Sequence, residues 1–149
     1  MAEMSPELMD LINSAPCCYL ATASKDGVPN VVPVGSTAAV SPDTIVVAGL
    51  FMLKTLENLK QNPKAAVVIN ATKPPDKEGS GGKGPKFIGG QVKGSVTLLT
   101  SGDMHEQTKN RIAQKIGTEM AGRIKATVVI KAEEIYSVTP GPDAGKRIA

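Results

Sequence analysis

The run Thr44-Ile-Val-Val-Ala48, followed at once by Gly49-Leu-Phe-Met-Leu-Lys-Thr-Leu-Glu-Asn-Leu-Lys-Gln-Asn-Pro63, does most to limit what this chain can become. A short β-branched run closed by a glycine reads as a strand. Leu53, Leu56 and Leu59 then recur at helical spacing, and Asn62-Pro63 stops the helix because the residue before a proline is driven out of the α region. A strand that runs straight into a helix delivers the helix start, with its unpaired N–H groups, to one end of a sheet. Such a start favours an anion, and Lys54 and Thr55 stand in its first turn. In outline that is a phosphate site, although the same two residues also suit the solvated face of an ordinary amphipathic helix.

The rest of the chain reads as mostly β. Ser5 caps a first helix with Pro6 at its first position and Glu7 in its first turn; Leu8, Leu11 and Ile12 form its apolar stripe, and Met4 and Met9 suit a staple across the cap. Ala15-Pro16 ends it. Cys17 to Ala23 is expected as a strand, Lys25-Asp-Gly27 as a hairpin turn, and Pro29 to Val40 as a second strand. Pro33 and Gly35 break the regularity of that second strand and point to a bulge or an edge that a ligand can reach. After the turn Ser41-Pro-Asp43, the strand Thr44 to Ala48 and the helix that follows it, Lys64 to Ala71 returns as another strand.

From Thr72 to Pro85 lysine, proline, glycine and acidic residues predict a long exposed loop. Gly79-Ser-Gly81-Gly-Lys-Gly84 within it matches G-x-G-x-x-G, but no βαβ context surrounds it and the Gly-Lys-Ser/Thr ending of a P-loop is missing. Lys86 to Ile88 and Gln91 to Leu99 read as strand on either side of Gly89-Gly90. A long helix follows Ser101-Gly-Asp103, with Asp103 as its cap, Glu106 completing a capping box, and Thr108, Ile112, Ile116 and Met120 as its buried stripe. Lys125 to Val138 is the last strand, and Thr139-Pro-Gly-Pro begins an irregular tail. Several short strands, few helices and no repeated βαβ unit predict one domain over 1–149, a mainly β fold in which an antiparallel barrel carries peripheral helices.

Composition excludes several function classes. The 17 Lys and Arg against 14 Asp and Glu leave a net charge of +3, spread without a basic stripe, and Phe and Tyr number 2 each with no Trp. A stacking platform for nucleic acid is therefore not expected. The N-terminus shows no long apolar run, so neither a signal peptide nor a membrane span is expected, and the cytoplasm is the expected location. Cys17 and Cys18 are adjacent, so on a strand they face opposite ways; they are expected as small buried hydrophobes rather than a disulfide or a zinc site. The lone His105 is given no catalytic role, and no metal site is expected.

The Lys-Thr helix start, the Asn-Leu helix ending in Asn-Pro, the β-rich segment before it and Ala65-Ala-Val-Val-Ile-Asn70 after it resemble the FMN-binding split-barrel family. This is the pyridoxamine 5′-phosphate oxidase-like superfamily, and within it the small FMN-binding and flavoredoxin-like proteins look closest. The resemblance runs from about Cys17 to about Val138. It implies an antiparallel, Greek-key-like split barrel and a homodimer with FMN at the subunit interface. It further implies that Lys54 and Thr55 hold the FMN phosphate, that Gly49 and Leu50 lie along the flavin, that Val32, Pro33 and Val34 line the ring or ribityl chain, and that Gln91 contacts the flavin.

Oxidases of vitamin B6 phosphates in this family carry an Arg-rich strand and a C-terminal Arg and His, whereas Asn30-Val-Val-Pro-Val34 and Gly-Lys-Arg-Ile-Ala149 stand here. The expectation is accordingly a flavin-dependent oxidoreductase acting with a small molecule or redox partner. An FMN-binding electron-transfer module is the alternative, and a barrel for another phosphorylated ligand, such as a deazaflavin or haem-related compound, is a third.

Overall fold

The computed structural model describes residues 1–73 and 86–149 of the chain. Seven strands, β1 (Cys18–Ala23), β2 (Pro29–Val34), β3 (Thr37–Ser41), β4 (Thr44–Ala48), β5 (Lys64–Lys73), β6 (Lys86–Leu99) and β7 (Thr127–Ser137), form one sheet. Every pairing is antiparallel, in the order β2-β1-β5-β6-β7-β4-β3. Four helices accompany it: α1 (Pro6–Ser14), α2 (Leu53–Gln61), α3 (Asp103–Ile116) and α4 (Thr118–Ala121).

The expected second strand, Pro29 to Val40, is in fact two strands at opposite edges of this sheet, β2 at one and β3 at the other. Only Gly35 and Ser36 join them, and three Cα steps reach at most about 11 Å. The sheet must therefore curl until its edges nearly meet. Ser36 Oγ then fastens the join to the end of β4, donating to the Ala48 carbonyl and accepting from the Ala48 N–H, both at 3.2 Å. The result is a split barrel, mainly β, with β2 and β3 facing each other across the split.

Inside the curl, Leu20, Ile45, Val47, Val67, Ile69, Val92, Val128 and Ile130 form the core, and α1 closes one end with Leu8 and Ile12. All five residues of β4 are buried because both its faces are covered. Ile45 and Val47 face the core, while Ala48 packs with Ile112 of α3 and Ala121 of α4. That is why Thr44 to Ala48 reads as a continuous apolar run rather than an alternation.

Local signals settled α1: Ser5 Oγ accepts from the Leu8 N–H at 3.2 Å, and Pro6 takes the first position. Elsewhere distant contacts corrected the expectation. Strand β5 extends through Lys73, two residues into the expected loop; the remainder of that loop, with its G-x-G-x-x-G run, lies outside the described residues. Strand β6 passes unbroken through Gly89-Gly90, paired with β5 throughout; Gly89 serves close approach, since a Cβ there would collide with the Ile69 carbonyl of that strand. Helix α3 is capped by Gly102 at φ 93° without any side-chain cap, so Asp103 is its first helical residue and the expected capping box does not form. Gly117 at φ 99° ends it, leaving Thr108 and Ile112 buried, Ile116 exposed and Met120 on a separate helix.

The β3–β4 turn holds a carboxylate with a pH signature. Asp43 accepts hydrogen bonds from Ser41 and Thr44 at 2.7 Å and pairs with Lys131 at 3.3 Å. These bonds from Thr44, Ser41 and Lys131, in that order, lower its pKa from 3.8 to about 2. A depressed carboxylate contributes stability above its unfolded value and loses it as pH falls through the folded one. Thermal unfolding of the wild type is expected to drop more steeply than that of Asp43→Asn between about pH 4 and pH 2. Parallel curves would remove this account of the turn.

Candidate functional site

Three pieces of chain enclose a cavity of ≈ 470 Å³ beside the split. Val32, Pro33 and Val34 at the end of β2, with Gly35 and Ser36, form one wall. Ala48, Leu50, Phe51 and Met52, the passage from β4 into α2, form the floor, and Ile112, Lys115 and Ile116 of α3 form the opposite wall. The volume is that of a site for a small molecule or cofactor.

The floor takes its path from Gly49. Its N–H donates to the Ala126 carbonyl at 2.8 Å, its own carbonyl accepts from Lys125 at 3.1 Å, and a Cβ there would stand 2.5 Å from the Ala126 oxygen. Glycine is needed for this close approach to the strand next door, and its N–H is already committed. The chain then bends through Phe51 at φ 53°, the one non-glycine residue with positive φ among the described residues, and this residue is 76% exposed. A bulky side chain in that region is strained, and such strain gathers at ligand sites.

Helix α2 begins after Met52 with no side-chain cap, so the N–H groups of its first turn have no side-chain partner there. Lys54 lies on its exposed side, 59% accessible and 3.4 Å from Glu57. Thr55 points the other way. It is buried, and its Oγ1 accepts from Asn30 Nδ2 at 3.1 Å. The same amide nitrogen donates to Thr22 Oγ1 at 3.2 Å, and Asn58 Nδ2 also donates to Thr22 at 3.2 Å. This buried network ties the helix start to β1 and β2, so Thr55 serves first as an anchor of the turn that carries Lys54.

Of the residues expected at a site, Val32, Pro33, Val34 and Leu50 come together in the cavity. Gly49 lies beneath its floor, and Lys54 and Thr55 are on the first turn of α2 just beyond Met52. Gln91 is not brought to the cavity. It pairs between Val68 of β5 and Tyr136 of β7, and because its neighbour Val92 faces the core, Gln91 faces outward. Sequence reasoning missed Phe51, Lys115, and the Thr22, Asn30 and Asn58 network. Ile112 and Ile116 were visible as a stripe, but nothing local showed that they would wall a cavity.

A wall held in place needs a fastening, and Arg111 supplies it by donating from Nη2 to the Ser36 carbonyl at 2.9 Å. Burial lowers the pKa of that guanidinium from its ordinary value, yet arginine remains charged. His105, ten residues or about 15 Å back along α3 from Lys115, is buried with Nδ1 at 2.9 Å from Thr127 Oγ1. Chemically, the site offers apolar walls for a flat ring, Lys115 in its lining, and, two residues past Met52, Lys54 on an uncapped helix start for an anion.

A family model described as Pyridoxamine 5'-phosphate oxidase matches residues 4–139. The chain is 33% identical over 135 residues to the uncharacterized protein MJ0282 of Methanocaldococcus jannaschii, over 88% of this chain and 78% of that relative. An FMN-binding protein from Syntrophomonas wolfei has a similar structure, with TM-score 0.72 and 22% identity over 89% of this chain and 84% of that one. HutZ, the haem storage protein from Vibrio cholerae, is also similar, with TM-score 0.63 and 13% identity over 91% and 94% of the two chains. At these identities the two structures speak to the fold alone.

Proposed function

The chain belongs to the pyridoxamine 5′-phosphate oxidase family, and from that membership we propose that it binds FMN and passes electrons between the flavin and a small molecule or redox partner. The observation that carries this reading is the apolar cavity leading into an uncapped helix start with Lys54 beside it. The donor set fits the cofactor: walls of Val32, Pro33, Val34 and Leu50 suit the ring, while first-turn N–H groups and an ammonium suit the phosphate. A bound flavin supplies the redox chemistry itself, so no catalytic side chain is required of the protein.

In this reading Lys54 holds the phosphate as a point charge. Thr55, buried and accepting from Asn30, has a different part: it anchors the turn that carries Lys54 and the free N–H groups toward the phosphate. Gly49 acts through the path it allows the floor to take. Gln91 stands on the outer face of the sheet and would meet a flavin only from a second copy of the chain.

A homodimer is part of the proposal, and exposed apolar residues support it. Val31 is 65% and Tyr19 44% exposed on the outer face of β2 and β1. A flavin-loaded protein that sediments as a monomer at micromolar concentration would end that part. A cytoplasmic setting accords with the two free cysteines, of which Cys18 is buried and has its thiol pKa raised mainly by that burial. Among the described residues, no helix is long and apolar enough to cross a membrane.

Haem storage, the activity named for HutZ, finds less support, since the chain's one histidine is buried against Thr127 rather than turned to the cavity. The visible spectrum of protein purified without added cofactor decides between the two. Oxidised-flavin bands, with FMN released on heating, are expected. A haem band without flavin, or a colourless protein that takes up no FMN, would overturn the proposal.

A further inference from the structure

The two walls of the cavity differ in kind. On the β2 side Val32, Pro33 and Val34 offer only apolar surface, and the hydroxyl of Ser36 is spent on the Ala48 backbone in both directions. On the α3 side the lining carries a charge: Lys115, exposed on the helix, and Ile116 follow Ile112 by three and four positions, so the three share one face. Among the described residues, Lys115 is the single charged one lining the cavity. This wall is also fixed in place. Arg111 ties α3 to the Gly35-Ser36 join, and Ile112, only 2% exposed, packs with Ala48 and Ala121.

We infer that the α3 wall is a binding site for a small apolar molecule carrying one negative charge, and that Lys115 selects that charge. The inference rests on the flavin reading, which assigns the β2 wall to the ring and leaves the α3 wall to a second molecule. Charge counting sets the ligand class. A neutral ligand that covers the rim strips water from the ammonium without replacing it, which is unfavourable. A doubly charged ligand leaves one charge unpaired against Ile112, Ile116 and Leu50. A single carboxylate on an apolar body meets both conditions.

Three naphthalene derivatives of similar shape test this: naphthoate with one charge, naphthamide with none, and naphthyl phosphate with two. Their dissociation constants are measured by calorimetry on the FMN-saturated protein. Naphthoate is expected to bind about tenfold more tightly than naphthamide, as for a charge-assisted hydrogen bond at a partly open site, and more tightly than naphthyl phosphate. Lys115→Gln is expected to abolish the preference over naphthamide, and Lys115→Arg to keep it. Equal affinities for naphthoate and naphthamide in a protein that holds FMN would overturn the inference and leave the flavin reading intact. So would a preference that survives in Lys115→Gln, or a preference for the phosphate. Failure to take up FMN at all would overturn the flavin reading, and with it the division of the cavity between a flavin and a second molecule.

Discussion

Gly49→Val is expected to lower stability by about 3 kcal/mol, the upper part of the range for forcing atoms into a packed site. The first added atom would already stand 2.5 Å from the Ala126 carbonyl and 3.3 Å from its nitrogen, and both belong to backbone that cannot rotate away. Relief requires parting Gly49 from Ala126 and Lys125, which breaks the 2.8 Å and 3.1 Å hydrogen bonds between these segments. Urea titration provides the measurement: the midpoint should fall while the slope stays constant, because the same surface is exposed on unfolding. Gly122→Ala is the control. Its nearest atoms are the Glu119 and Thr118 carbonyl oxygens at 3.4 and 3.5 Å, which is tight to ordinary contact. Equal midpoints for Gly49→Val and wild type would show that the floor of the cavity is not set by this approach.

Lys54→Ala is expected to weaken FMN binding by about tenfold to a hundredfold, the equivalent of one charge-assisted hydrogen bond of roughly 1.5–3 kcal/mol. The same substitution should scarcely change stability. The only ion pair Lys54 makes among the described residues is with Glu57 at 3.4 Å, both side chains are about three-fifths exposed, and such pairs contribute little. A loss of affinity without a loss of stability therefore separates ligand contact from fold. Unchanged FMN affinity would return Lys54 to the solvated face of a helix and remove the central argument for a phosphate site.

The parts of the fold legible in the sequence are those governed by near neighbours. Ser5 and Pro6 begin α1 because cap and first turn lie within four residues. The strand–helix passage from Thr44 to Gln61 was readable because its period changes where Gly49 stands. Asp103 misled because the turn before it uses the positive φ of Gly102 instead of a side-chain cap. Gly89-Gly90 misled because the reasons for glycine lie far off in sequence: the Ile69 carbonyl on β5 for Gly89 and the Leu8 side chain of α1 for Gly90.

The candidate site divides in the same way. Its mainly β class and the position of Lys54 at a helix start were determined by the sequence alone, since propensity and periodicity act over one or two turns, and its family was legible as a resemblance carried by the Lys-Thr helix start and the segment Ala65 to Asn70. That β2 and β3 end on opposite edges, that Thr55 turns inward to Asn30, and that Lys115 arrives at the cavity were decided only by the tertiary structure. Each depends on contacts between distant residues, such as Ser36 with Arg111, 75 positions apart, and no local pattern records which of many such pairings closes a curled sheet.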